Sequence, residues 1–223
     1  MEQFSLYHRV RPAQGPGPGP ALILLHGFGS NETDLLALSG SMDPGLLVVS
    51  VRAPFVQAPG YMWYDFAEGM GLGGSGIERS LNLLRAFLSE VVRAYDIDPG
   101  RVYTGGFSQG AAMAGTLGLL EADRVAGSLM VSGYLPPGIE ERYRPPAAAG
   151  HPFFQAHGTQ DMVVPLAAAH RTRDFLRQTP VELTYREYPI GHEVSPDELA
   201  DIAGWLGRTV MPATDDQQSG ARG

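Results

Sequence analysis

Ser108, Asp161 and His192 have the types, the chain order and the settings that hydrolytic chemistry at a carbonyl requires. Ser108 is the centre of Gly106-Phe107-Ser108-Gln109-Gly110, between the β-branched and aromatic run Val102-Tyr103-Thr104 and an Ala-rich stretch. A serine between two glycines at a strand-to-helix junction is a nucleophile elbow: the turn is so tight that small residues must flank the serine, whose hydroxyl then stands above the sheet edge. Serine is a weak nucleophile at neutral pH and needs a base within hydrogen-bond reach, itself oriented by a third group.

Six histidines compete for the role of base. His8 and His151 lie away from the carboxyl ends of strands, and His170 falls in a helix. His26 ends a strand beside a glycine turn, where a structural hydrogen bond suits it better. His157 ends another strand and suits a buttress for the loop of Asp161. His192, in a Gly-His turn between the last strand and the last helix, is the candidate base. Asp161 is the candidate acid, since it follows a strand and lies between the serine and the histidine. Asp174 and Asp197 fall in helices, and Asp65 precedes the serine. The oxyanion formed on attack would be met by the backbone N–H of Gln109 and by one from the turn His26-Gly27-Phe28-Gly29, most simply that of Phe28.

Something must carry these loops to one place. Ala21–Leu25 and Leu46–Val51 are short and apolar, as strands buried on both faces are. Further strands are expected at Gly127–Ser132, Pro152–Ala156 and Val181–Tyr188, with an edge strand at Phe4–Val10. From Ile77 the apolar positions Leu81, Leu84, Leu88, Val91 and Tyr95 follow a helical period. Helices are also expected at Gln109–Leu120, at Leu166–Gln178 and from Pro196 to about Val210. The last has Ser195 as N-cap, proline at its first position and Glu198 to close a capping box. Asn31 is expected to cap a short helix over Glu32–Ser39, and Asp98-Pro99-Gly100 reads as a turn.

Alternating strands and helices predict an α/β class with a mostly parallel central sheet and helices on both faces. Sites in such sheets gather at the carboxyl ends of strands, which puts His26–Ser30, Ser108, Asp161 and His192 on one rim. Arg52–Gly76 and Tyr134–Gly150 are long and irregular, and the aromatic cluster Tyr61–Phe66 suits either a satellite core or the lining of a substrate groove. One domain over residues 1–210 and a frayed tail over 211–223 are expected.

The chain has 223 residues, a formal net charge of -8 and no cysteine. The acidic balance disfavours nucleic acid and anionic membranes as partners. Without cysteine there is no disulfide framework, no thiolate metal site and no thiol nucleophile, which also disfavours a dienelactone-type hydrolase. The N-terminal stretch lacks an apolar signal core and no run approaches the ~18 residues of a membrane span, so a cytoplasmic protein without stable membrane insertion is expected.

Taken together, Leu25-His26-Gly27-Phe28-Gly29, Trp63-Tyr64-Asp65, Gly106–Gly110, His157-Gly158-x-x-Asp161-x-Val163-Val164-Pro165 and Gly191-His192-Glu193 resemble the phospholipase/carboxylesterase family, which includes the acyl-protein thioesterases. The resemblance spans about Leu22 to Leu206. It implies an α/β-hydrolase fold, no cofactor or metal, and hydrolysis of carboxylic esters or thioesters on small-molecule substrates. Ser108, Asp161 and His192 fall on the family's triad positions, and Phe28 and Gln109 on its oxyanion positions. Trp63 is implied to help build the acyl groove, and Met162 and Val163 are also expected to meet the substrate. The turn continues as Ser30-Asn31-Glu32 rather than Gly-Asp-Thr-Gly, a form closer to bacterial small-ester carboxylesterases than to acyl-protein thioesterases. Short to medium acyl chains are therefore expected, with a lysophospholipase or acyl-protein thioesterase as the alternative. A binding module on an inactive hydrolase fold is the rival from another class, and exposed groove residues would also suit a homodimer.

Overall fold

The computed structural model describes residues 4–15, 17–69 and 71–211. Seven strands form one sheet: β1 (His8–Arg11), β2 (Gly19–Leu25), β3 (Leu47–Val51), β6 (Ile97–Phe107), β7 (Gly127–Val131), β8 (Pro152–Gly158) and β9 (Glu182–Tyr188), in the order β1-β3-β2-β6-β7-β8-β9. The intervening β4 (Phe55–Gln57) and β5 (Gly60–Met62) form a separate hairpin. Every pairing in the large sheet is parallel except that of β1 with β3. Parallel neighbours require crossovers, and helices supply them.

Strand periodicity divides the core into two layers. On β2, Ala21, Ile23 and Leu25 pack with Ile77, Leu81, Leu84 and Leu88 of α2 (Ser75–Ala94) and with Met113 and Leu117 of α3 (Gln109–Leu120). Leu22 and Leu24 face the other way, with Leu35 of α1 (Asp34–Leu38) and Ile202, Trp205 and Leu206 of α6 (Pro196–Thr209). The remaining α-helices among the described residues are α4 (Ile139–Arg142) and α5 (Leu166–Leu176). Both faces of the central part of the sheet are covered, which is why β2, β3 and β7 are buried along almost their whole length.

Several local expectations shift. The edge strand begins at His8 rather than Phe4. Asn31 does not cap α1: its Oδ1 accepts the Thr33 N–H at 2.9 Å, an Asx turn that begins two residues upstream of the Thr33 N-cap. The Asp98-Pro99-Gly100 turn lies inside β6 as a bulge. Ile97 pairs with Gly19 and Val102 with Ala21, while Asp98 Oδ1 takes the Gly100 N–H at 2.9 Å. Arg52–Gly76 holds the β4–β5 hairpin, and Tyr134–Gly150 holds α4. Ser195 Oγ accepts the Glu198 N–H at 3.1 Å, but the return half of the capping box is missing. Glu198 turns inward instead, and both its carboxylate oxygens are buried without a hydrogen-bond partner among the described residues. Met211 excepted, the expected tail lies outside the described residues. No helix among those described is long and apolar enough to cross a membrane.

Candidate active site

The elbow follows from β6 running directly into α3. Ser108 sits between them at φ 54°, in the left-handed region, and its N–H donates to Val131 O at 2.9 Å. The flanking glycines are obligatory. A Cβ on Gly106 would lie 2.3 Å from the Gly110 carbonyl carbon, and one on Gly110 would lie 1.9 Å from Leu25 O. Both distances are far inside van der Waals contact, so α3 can approach β2 this closely only without side chains there.

The turn after β9 brings His192 Nε2 to 3.0 Å from Ser108 Oγ. The turn after β8 brings Asp161 Oδ2 to 2.7 Å from His192 Nδ1. Three strand ends widely separated in sequence thus make one hydrogen-bonded chain. The other oxygen of Asp161 accepts the N–H groups of Val163 and Val164, both at 2.8 Å. Burial works to raise this carboxyl, but the His192 bond and the two backbone donors outweigh it and hold the group below its ordinary range. Asp161 is therefore kept ionised and fixed in direction.

The other strand-end histidines serve the frame. His157 Nε2 donates to Val164 O at 2.9 Å and braces the Asp161 loop. His26 accepts the Ala53 N–H on Nε2 at 3.1 Å and gives its Nδ1–H to Gly27 O at 2.7 Å. Burial pushes its pKa down, so this imidazole stays neutral and shapes the turn over Gly27–Ser30. In that turn the N–H groups of Gly29 and Ser30 are engaged by Tyr61 O and Gly27 O. The Phe28 N–H has no acceptor among the described residues, and the Gln109 N–H, first in its helix, has no intrahelical one.

Beside Ser108 opens a cleft of about 740 Å³, walled by Phe28, Tyr64, Phe66, Phe107, Tyr134 and Val163 among others. Among the described residues, no cluster of three or more His, Asp or Glu side chains is arranged to hold a metal ion. The family model for phospholipases and carboxylesterases matches residues 12–210. The chain belongs to this family. A curated relative, acyl-protein thioesterase 1 of Candida albicans, is 29% identical, with 89% of this chain and 96% of that protein covered. Among solved structures, a Bacillus cereus carboxylesterase superposes with a TM-score of 0.81 at 24% identity, covering 92% of this chain and 94% of its own. A carboxylesterase from Mesorhizobium loti gives 0.80 at 22%, with 93% and 97% covered. The family and the α/β-hydrolase fold expected from the motifs are thus both found.

Within this phospholipase/carboxylesterase fold, two of the residues expected to meet the substrate lie off the cleft wall. Trp63 is fully buried, at 0% exposure, and is absent from the cleft wall. Its backbone N–H donates to Gln109 Oε1 and its carbonyl accepts the Ser80 hydroxyl, which turns the indole into the core. There Nε1–H finds His26 O at 2.9 Å, satisfying a donor that a groove would leave to water. The neighbours Tyr64 and Phe66 reach the cleft instead. Met162 is 93% exposed and points to solvent beyond the wall, because the Asp161 loop bends after it to bring Val163 and Val164 N–H onto the carboxylate. Val163 does line the cleft. Tyr134, the first residue of the irregular Tyr134–Gly150 loop, and Arg171, which no sequence motif singled out, line it too. Nothing in the local sequence of Arg171 marks it for that wall.

Proposed function

We propose that this chain is a serine carboxylesterase working through Ser108, His192 and Asp161. The observation that carries the proposal is the continuous hydrogen-bonded chain from Asp161 through His192 to Ser108 at the floor of an open apolar cleft. His192 takes the Ser108 proton as Oγ attacks the ester carbonyl, and Asp161 holds the ring's tautomer and stabilises the imidazolium that forms. The negative charge on the carbonyl oxygen is received by the Phe28 and Gln109 N–H groups. His192 then returns its proton to the departing alcohol oxygen. Water, activated by the same imidazole, releases the acid from the acyl-enzyme.

The cleft is large enough for a short or medium acyl chain against Phe28 and Phe66, whose rings lie 5.3 Å apart. A thioesterase or lysophospholipase acting on longer chains is the second reading. Favouring it is a further hollow of about 350 Å³ that shares Tyr134, Pro137, Ala168 and Arg171 with the cleft. Initial rates on p-nitrophenyl esters of increasing chain length, beside S-acyl thioesters of the same acids, separate the two. The first reading expects kcat/KM to peak at short or medium chains and fall beyond; a steep rise to palmitoyl substrates contradicts it.

A further inference from the structure

The cleft is apolar over most of its wall but carries two charged side chains, Asp34 and Arg171. Asp34 is engaged, accepting the Ser30 hydroxyl at 2.7 Å. Arg171 has no hydrogen bond and no carboxylate within ion-pair distance among the described residues. Its neighbours on the same helix differ in this respect. His170 pairs with Glu187 at 2.7 Å, Arg173 with Asp174 at 2.8 Å, and Arg177, just past the helix end, with Asp174 at 4.0 Å.

The helix explains the separation. Ala168, Arg171, Thr172 and Phe175 fall at spacings of three and four residues, so they share one face of α5, and all four line the hollow beside the cleft. Ala168 and Arg171 line both cavities, which puts Arg171 where they join. Thr172 Oγ1 accepts the Leu135 N–H at 2.9 Å and fixes this face against the loop that carries Tyr134. Glu140 and Glu141 also line the hollow, and neither forms an ion pair with Arg171 among the described residues. In a chain of net charge -8, an anionic substrate is repelled at long range and needs a local cation to hold it.

We propose that Arg171 is a specificity-determining residue for esters that carry an acidic group, a carboxylate or a phosphate, away from the scissile bond. A guanidinium has five donors in a planar fork that matches either oxyanion. The aromatic wall would hold the apolar part between that group and Ser108. The inference rests on the esterase reading above and deepens it by naming the substrate class.

The test compares matched ester pairs on wild type and Arg171→Met. One pair is p-nitrophenyl hydrogen glutarate against p-nitrophenyl valerate, with the acid on the acyl side. The others are 4-carboxyphenyl butyrate and 4-phosphophenyl butyrate, each against phenyl butyrate, with the acid on the alcohol side. The readout is the ratio of kcat/KM for charged over neutral ester on one preparation, which is independent of how much enzyme is folded. A drop of about tenfold in at least one ratio is expected, the scale of a charge-assisted hydrogen bond, with the same ratio eroding as salt rises. The pair that responds identifies the side and the oxyanion. Ratios unchanged in all three pairs overturn the proposal. Calorimetric binding of N-butylsuccinamate, glutarate and phenyl phosphate separates this failure from failure of the esterase reading. Weaker binding to Arg171→Met sustains the anion site even if no ester is hydrolysed, and equal binding of every probe overturns it.

Discussion

The backbone N–H of Trp63 donates to Gln109 Oε1 at 2.7 Å, and Gln109 Nε2 donates in turn to Tyr64 O at 2.7 Å. Gln109, whose backbone N–H is proposed to receive the oxyanion, is thereby fastened by its own side chain to the segment that forms one wall of the cleft. Gln109 is buried, so truncation would leave a buried donor and a buried acceptor without partners. Gln109→Ala is expected to cost about 2–6 kcal/mol in urea unfolding, from about 1–3 kcal/mol for each of the two orphaned groups. A fall in kcat/KM should accompany it. An unfolding midpoint equal to wild type would show that the fastening contributes nothing.

Asp161→Asn leaves an oxygen for the Val163 and Val164 donors but puts an amide where His192 Nδ1 now meets a carboxylate. The imidazole is then held in the wrong tautomer. A drop in kcat of about 10⁴ is expected, by the behaviour of other triads, with KM little changed. Steady-state kinetics on a p-nitrophenyl ester gives the answer, and a loss of less than tenfold would remove Asp161 from the mechanism.

How the sequence announced this site shows in Gly106 and Gly110. Their spacing about Ser108 is a steric requirement of the elbow, so it is written in residue types. His192 and Asp161 followed from chain order and from the rule that sites sit at strand ends. Trp63 was not legible in the same way. Its fate depends on Gln109 and Ser80, residues distant in sequence that turn its backbone, and no local pattern carries that information. The same holds for Glu198, where local rules favoured a capping box and tertiary packing drew the side chain inward. Arg171 escaped notice because an unpaired arginine and a paired one look alike until their neighbours are in place.

Two glycines near the site should respond oppositely to alanine. At Gly110 the new Cβ meets backbone at 1.9 Å, whereas at Gly191, beside His192, it meets nothing within 4 Å. Gly110→Ala is expected to prevent folding or to cost more than about 3 kcal/mol, beyond ordinary overpacking because backbone must move. Gly191→Ala should stay within about 1 kcal/mol of wild type. Thermal unfolding of the pair measures both, and similar melting temperatures would contradict the elbow geometry.

Burial raises the Glu198 carboxyl to about 7, with the nearby Ser195 N–H offsetting part of the effect. Between its unfolded value of about 4.3 and that figure, the folded state holds a proton that the unfolded chain has lost. Stability contributed by this group is therefore fully present below about 4.3 and is lost as pH rises toward 7. The loss is at most on the order of 4 kcal/mol. Glu198→Gln should flatten this part of the pH–stability profile, measured by urea unfolding from pH ~4.5 to ~8. A variant profile parallel to wild type would mean that the carboxyl finds a partner on ionising.

The proposed mechanism requires Ser108 to be the nucleophile. Stoichiometric reaction with a fluorophosphonate, followed by peptide mapping, tests it most directly. One adduct per chain is expected, on Ser108, with esterase activity lost in proportion and no labelling of Ser108→Ala. An adduct at another residue, or hydrolysis by Ser108→Ala at the wild-type rate, would contradict it.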